Sequence, residues 1–223
     1  MIKHIILDVD GTITDQKRLI STEAIEAIRL GIGNGIKVSL ISGNVIPVMF
    51  GLKTFIGING TVFGENGGVM LENDHIVSFF DKTKAAKFLE KMVNDVNVKP
   101  MFTNMWRESS VAFLLNGADP EYISKKAYKE GLYIVNSRFT WHVMNSGQDK
   151  AYAVNYLINH YNLNNNEILV VGDSDNDNSM FDLDVLRACP ANATDYIKLK
   201  SDFVSEKSYG NEIMDILKHY SIL

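Results

Sequence analysis

Apolar positions along this chain alternate between short dense blocks and longer stretches with helical spacing. Residues 2–7, 37–41 and 167–171 are dense blocks, each followed by small and acidic or hydroxyl residues. Blocks of this length ending in a glycine turn predict strands buried on both faces of a parallel sheet. Between the first two, Ser21-Thr22-Glu23-Ala24 resembles a helix N-cap, and Ile25, Ile28 and Ile32 recur at helical spacing. Gly31, Gly33 and Gly35 end that helix. Pro47 marks the first turn of a second helix. Residues 55–62 are expected as a third strand, and Glu65-Asn66-Gly67-Gly68-Val69 as a hairpin turn at the same edge.

The pattern changes near Asp81. Ala85, Phe88, Leu89, Met92, Val93 and Val96 predict an amphipathic helix over residues 82–96. Strands are expected over 99–106 and 109–115, joined by Arg107-Glu108. A helix is expected over 119–130, then strands over 132–136 and 140–144. This αββαββ order uses hairpins rather than crossovers and predicts an antiparallel sheet with both helices on one face. The parallel pattern resumes at Lys150, which opens a helix, and strands are expected over 167–171, 186–191 and 202–205. The expected fold is α/β: a doubly wound parallel-sheet core of residues 1–80 and 149–223, with a small α+β domain, 81–148, inserted in it.

Composition narrows the functional classes. The chain has 223 residues, 46% of them hydrophobic, which suffices for a full core. A net charge of -5 argues against a nucleic-acid partner, because phosphate backbones demand a basic surface. The one cysteine, Cys189, allows no intramolecular disulfide and no thiolate metal cluster; it reads as a buried small hydrophobe. No run approaches 18 apolar residues and no export signal opens the chain, so no membrane partner and a cytoplasmic location are expected. Nothing in the pattern bears on oligomeric state.

Chemistry concentrates where strands end. Asp8 and Asp10 follow the first strand, and residues two apart on an extended chain face the same way. Ser42-Gly43-Asn44 follows the second, just before a helix, where free backbone N–H groups and the helix dipole favour an anion; Ser42 as a plain N-cap is the alternative. Gly172-Asp173-Ser174-Asp175-Asn176-Asp177 follows a later strand, and Lys150 starts a helix. A parallel sheet gathers such ends at its topological switch point. Oxygen donors alone favour a hard cation, Mg²⁺ above all. A metal, a lysine and an anion-binding helix end around a free carboxylate suit phosphoryl transfer, with the carboxylate as nucleophile.

These motifs resemble the haloacid dehalogenase superfamily of phosphohydrolases, in the Cof-like branch with an inserted cap. Asp8-Val9-Asp10-Gly11-Thr12 is similar to its first motif, Ser42-Gly43 to the second, Lys150 to the third and the 172–177 run to the fourth. Residues 40–47, 64–68 and 189–194 resemble the archaeal phosphoglycolate phosphatases of that family. One position departs: an arginine often follows the serine- or threonine-glycine pair, and Asn44 stands there, which removes a cation from that wall.

The resemblance implies Asp8 as nucleophile and Asp10 as acid, then base. It implies Mg²⁺ held by Asp8, the Asp10 carbonyl, Asp173 and Asp177. Ser42, Gly43, Asn44 and Lys150 would hold the phosphoryl group, and Asn176 would orient Lys150 or the phosphate. The expected substrate is a small phosphorylated metabolite, foremost 2-phosphoglycolate. A sugar-phosphate phosphatase and a phosphomannomutase-like transferase are alternatives on the same scaffold. A receiver-like phospho-aspartate module is the non-enzyme alternative, though such domains are about half this length and lack the insertion. Trp106, Arg107, Arg138, Trp141 and His142 are the cap residues expected to include the specificity determinants, Arg107 first, because charge at a hairpin tip is either solvated or used.

Overall fold

The computed structural model describes residues 1–223 except Arg138. The first half of the core runs β1 (His4–Leu7), α1 (Thr22–Gly33), β2 (Lys37–Ile41), α2 (Ile46–Ile56), β3 (Val62–Gly64), β4 (Val69–Glu72), β5 (His75–Ser78). The inserted cap runs α3 (Thr83–Val96), β6 (Lys99–Pro100), β7 (Val111–Leu114), α4 (Pro120–Lys129), β8 (Leu132–Asn136), β9 (Trp141–Asn145). The core then returns with α5 (Lys150–His160), β10 (Ile168–Val171), α6 (Asn178–Phe181), β11 (Leu186–Cys189), α7 (Asp195–Lys200), β12 (Phe203–Val204) and α8 (Glu212–His219).

Eight strands form the core sheet in the order β12-β11-β10-β1-β2-β3-β4-β5. From β12 to β3 every pairing is parallel; β4 and β5 add an antiparallel edge. β1 lies between β2 and β10, with His4 level with both Lys37 and Ile168. Its four residues are all buried because helices cover both faces. Ile5 and Leu7 pack in the core layer that also holds α1 and α8, while Ile6 packs in the opposite layer with α5 and Phe181. The chain moves outward from β1 through β2 and β3 and returns on the other flank at β10. The switch point therefore lies at the carboxyl ends of β1, β2 and β10.

Two expected elements are corrected. Residues 55–62 are not a strand: α2 continues to Ile56, Gly57 caps it in the left-handed region at φ 90°, and β3 covers only Val62–Gly64. α2 is apolar almost all round, which masks its helical period, yet Ile46, Met49 and Ile56 alone bury while Phe55 is 80% exposed. The expected strand over 99–106 is also shortened, to Lys99–Pro100. Its continuation folds into a 3₁₀ turn, Phe102–Trp106, because Asn104 takes the strand's place. The Asn104 carboxamide donates to the Ala112 carbonyl at 2.9 Å and accepts from the Ala112 N–H at 2.7 Å.

The cap sheet is antiparallel, in the order β6-β7-β9-β8. Phe88 and Leu89 of α3 and Ile123 and Ala127 of α4 pack on Phe113, Leu132 and Val143 of the sheet. Strand alternation turns the other face, with His142, Met144 and Tyr133, toward the core. No helix among the described residues is long and apolar enough to cross a membrane.

Candidate active site

Asp8 follows β1 directly, and its N–H still pairs with the Val171 carbonyl of β10 at 2.9 Å, so the side chain leaves from the ladder itself. Gly11 then turns the chain at φ 94°. Thr12 donates to Asp173 Oδ1 at 3.2 Å, tying the loops after β1 and β10 together. In the second loop the Asp177 carboxylate accepts from the Asp173 and Ser174 N–H groups at 2.9 and 3.0 Å. A Cβ at Gly172 would lie 2.6 Å from Asp177 Cγ, so glycine is needed there for the loop to close.

Asp8, Asp173 and Asp177 each offer an oxygen within 4.8 Å of the others, and all three are buried. Lys150, the first residue of α5, is wholly buried with them. Its ammonium donates to Asp8 Oδ1 and to Asp177 Oδ1, the latter at 2.5 Å. Burial alone would lower the lysine pKa, but the Asp177 and Asp8 carboxylates outweigh it and hold it above the ordinary range. Burial pushes the Asp8 carboxyl up, against the pull of Lys150 and helped by Asp177 and Asp173. Asp8 Oδ2 is buried without a partner. An all-oxygen set with an orphaned carboxylate oxygen fits a divalent cation.

The Asp10 side chain stands apart from that cluster. It accepts from Asn44 Nδ2 at 2.8 Å and from Arg18 Nε at 2.9 Å. Asn44 also engages Ser42: the Ser42 hydroxyl oxygen accepts from the Asn44 N–H and Nδ2 at 3.1 and 2.9 Å. Ser42 does not cap α2; Val45 is the N-cap residue, without a side-chain bond. Gly43 packs under the cap, where a Cβ would lie 3.3 Å from His142 Nε2 and 3.4 Å from Asn66.

The cap closes on this wall through Glu65, Gln148 and Arg107. Glu65, non-glycine yet at φ 54°, is completely buried. Its carboxylate accepts from the N–H groups of Glu108, Ser109 and Ser110 and from both serine hydroxyls, at 2.7–3.2 Å. Gln148 adds bonds to the Glu65 carbonyl and the Ser109 hydroxyl at 3.0 and 2.9 Å. Arg107 lies in the β6–β7 connection and is used rather than solvated: it is 3% exposed and donates to the Gly43 carbonyl and the Ser110 hydroxyl, both at 3.0 Å. Between core and cap lies a cavity of about 60 Å³ lined by Asp10, Arg18, Asn44, Arg107, Phe139 and His142 among others.

His142 Nε2 lies 2.8 Å from the Ser137 hydroxyl and 3.0 Å from that of Thr140. Burial, then Arg107 and Lys150, lower its pKa far below the usual range, so the ring stays neutral. Trp106 is 44% exposed against Phe102, and Trp141 packs on the cap core; neither lines the cavity. Arg138 lies outside the described residues. Asn176 contacts Asn66 at 3.5 Å and accepts from Ser174 Oγ at 2.8 Å, and Asp175 is exposed. The structure thus gathers Asp8, Asp10, Ser42, Gly43, Asn44, Lys150, Asp173 and Asp177 at one sheet end. It adds Arg18, whose only sequence trace is its place after the first motif, and Glu65, which lies in the 64–68 run but to which the sequence assigns no role.

The family model for haloacid dehalogenase-like hydrolases matches residues 5–130 and 110–217. The chain belongs to this family. Proteins named phosphoglycolate phosphatase from Thermoplasma volcanium and Thermoplasma acidophilum are 54% and 53% identical to it, each aligned over the full length of both chains. One from Picrophilus torridus is 46% identical, over all of this chain and 93% of its own. At that similarity this haloacid dehalogenase-like hydrolase is a phosphatase. A crystal structure from Thermoplasma acidophilum superposes with a TM-score of 0.97 at 53% identity, covering both chains completely. A structure described as a sugar phosphatase of the family superposes at 0.81 with 16% identity, over 99% of this chain and all of its own, and shares the fold.

Proposed function

We propose that this phosphatase hydrolyses 2-phosphoglycolate to glycolate and phosphate, with Mg²⁺ and through an aspartyl phosphate. The observation that carries the reading is Asp8: buried, held through Oδ1 by Lys150, and left with an unpartnered Oδ2. Asp8 attacks phosphorus in line, and Asp10 protonates the departing alcohol, then takes a proton from the water that splits the phosphoaspartate. Lys150, Ser42 and the amides of Gly43 and Asn44 hold the phosphoryl oxygens. Asp8, Asp173, Asp177 and the Asp10 carbonyl would hold Mg²⁺, which offsets charge on the phosphoryl group when bound. The domain limits that go with this reading are 1–80 and 149–223 for the core and 81–148 for the cap, which excludes water during phosphoryl transfer.

Two observations favour a small acidic substrate over a sugar phosphate. The full-length relatives above carry the name phosphoglycolate phosphatase. Among the described residues, Arg18 and Arg107 line the cavity beside Asp10, which suits an anionic group on the leaving side. The test is phosphate release from a panel of phosphomonoesters, with and without Mg²⁺, by wild type and Asp8→Asn. Release should require the metal, show its highest kcat/KM on 2-phosphoglycolate, and fall by several orders of magnitude in Asp8→Asn. A variant keeping a tenth of the wild-type rate would remove Asp8 as nucleophile; a hexose phosphate outrunning 2-phosphoglycolate would overturn the substrate.

A further inference from the structure

Among the described residues that line the cavity beside Asp10, two carry a positive charge, Arg18 from the core and Arg107 from the cap. They are not equally available. Arg107 is buried and committed: it caps the Gly43 carbonyl and lies 3.9 Å from the Glu65 carboxylate, so withdrawing it would strand both. Arg18 has a side chain 47% exposed, and its ion pair with Asp10 is of the kind that contributes little in water. Its Nε and Nη2 rest on Asp10 and Asn44, at 2.9 and 3.2 Å. The guanidinium carbon lies 5.0 Å from the Phe139 ring of the cap, so it bridges the two walls of the cavity.

The loop that delivers it is fixed. Thr14 pairs with Ile20 across it, and the Asp15 carboxylate accepts from the N–H groups of Lys17 and Leu19 at 2.8 and 2.9 Å. Within that turn Arg18 is held at φ 66°, a conformation costly for a residue with a Cβ. Asn44 itself brings no charge to the phosphate-side wall, and Arg18 reaches its Oδ1 from the neighbouring loop.

We propose that Arg18 reads a carboxylate on the leaving group of the substrate, and this rests on the phosphoglycolate reading above. Such a carboxylate must enter next to Asp10, which would repel it. A guanidinium already resting on Asp10 can bind both, because its planar fork offers five N–H donors and suits a carboxylate edge-on. Its position beside Asp10 suits a carboxylate joined to the ester oxygen through a short carbon chain. Specificity for a short carboxylated phosphate then comes from the core loop after the first motif, while Arg107 backs the Gly43 loop.

The experiment compares 2-phosphoglycolate with ethyl phosphate, which has the same chain length and no carboxylate. The readout is the ratio of kcat/KM for the two, in wild type, Arg18→Ala, Arg18→Gln and Arg18→Lys, with thermal melts to confirm folding. Wild type should favour 2-phosphoglycolate, and the ratio should fall roughly ten- to a hundredfold in Arg18→Ala and Arg18→Gln. Arg18→Lys should restore part of it, since charge returns without the fork. A wild-type preference that survives in Arg18→Ala within threefold overturns the role of Arg18 and leaves the substrate reading intact. A wild type without the preference overturns both. A purely structural role would lower both substrates together and leave the ratio unmoved.

Discussion

Asp10 accepts from Asn44 and Arg18 on one side of the site, while Asp8, a strand step away, is enclosed with Lys150. Two carboxyl groups two residues apart are thus placed in different environments, the arrangement that separate acid and nucleophile roles need. If Asp10 gives its proton to the leaving oxygen, Asp10→Asn should slow alkyl phosphates far more than activated aryl phosphates, whose leaving groups depart without protonation. The check is kcat for ethyl phosphate against 4-nitrophenyl phosphate in both proteins; equal losses would remove the acid role. The aspartates and Lys150 were legible at this scale because each stands at the end of a recognisable strand or the start of a helix. Arg18 was not, because a charged residue in a polar turn reads as solvated until its neighbours in space are known.

At the scale of elements, the join between cap and core is the Glu65 carboxylate surrounded by the 108–110 loop, with Arg107 beside it. A buried carboxylate with five donors stabilises only while all are kept, and removing it leaves those donors and a buried guanidinium unmatched. Glu65→Ala should therefore cost roughly 3 kcal/mol or more of stability, seen as a lower midpoint in thermal or denaturant melts. Arg107→Ala should lower kcat/KM on 2-phosphoglycolate and 4-nitrophenyl phosphate in parallel, since it backs the Gly43 loop to which the proposed function assigns the phosphoryl group. A loss confined to 2-phosphoglycolate would make Arg107 a substrate contact instead. The turn carrying Arg107 is longer than the expected Arg107-Glu108 because Asn104 satisfies the Ala112 backbone with a side chain, which no strand pattern reveals.

At the scale of the whole molecule, the last helix carries a pH-sensitive group. Glu212, at the start of α8, is fully buried; its Oε2 accepts from the Gly210 N–H at 2.8 Å and its Oε1 has no partner. Burial, reinforced by Asp173 and Asp215 against its backbone bonds, pushes its pKa up to about 8 from an ordinary 4.5. The folded state therefore keeps a proton that the unfolded chain releases. The stabilisation is complete below the unfolded value and drains away as pH rises toward about 8. Thermal midpoints should fall from pH 5 to pH 8, and Glu212→Gln, which keeps the shape and cannot ionise, should flatten that fall. An unchanged slope in the variant would show that Glu212 does not carry the effect.

The sequence by itself determined the order of elements, the split core with its inserted αββαββ unit, and the strand ends bearing Asp8, Ser42 and Asp173. Those follow from periodicity and chain punctuation, which act within a few residues. Tertiary structure alone decided where α2 gives way to β3, which oxygen of Asp8 stays unpartnered, and that Arg18 and Glu65 converge on the site. The Glu65 grip joins residues 43 to 45 positions apart, and the Lys150–Asp8 contact spans 142. Arg18 and Glu65 also hold left-handed conformations that no non-glycine residue signals on its own. Contacts of that separation leave no local period, so they exist only once the sheet and cap have brought the loops together.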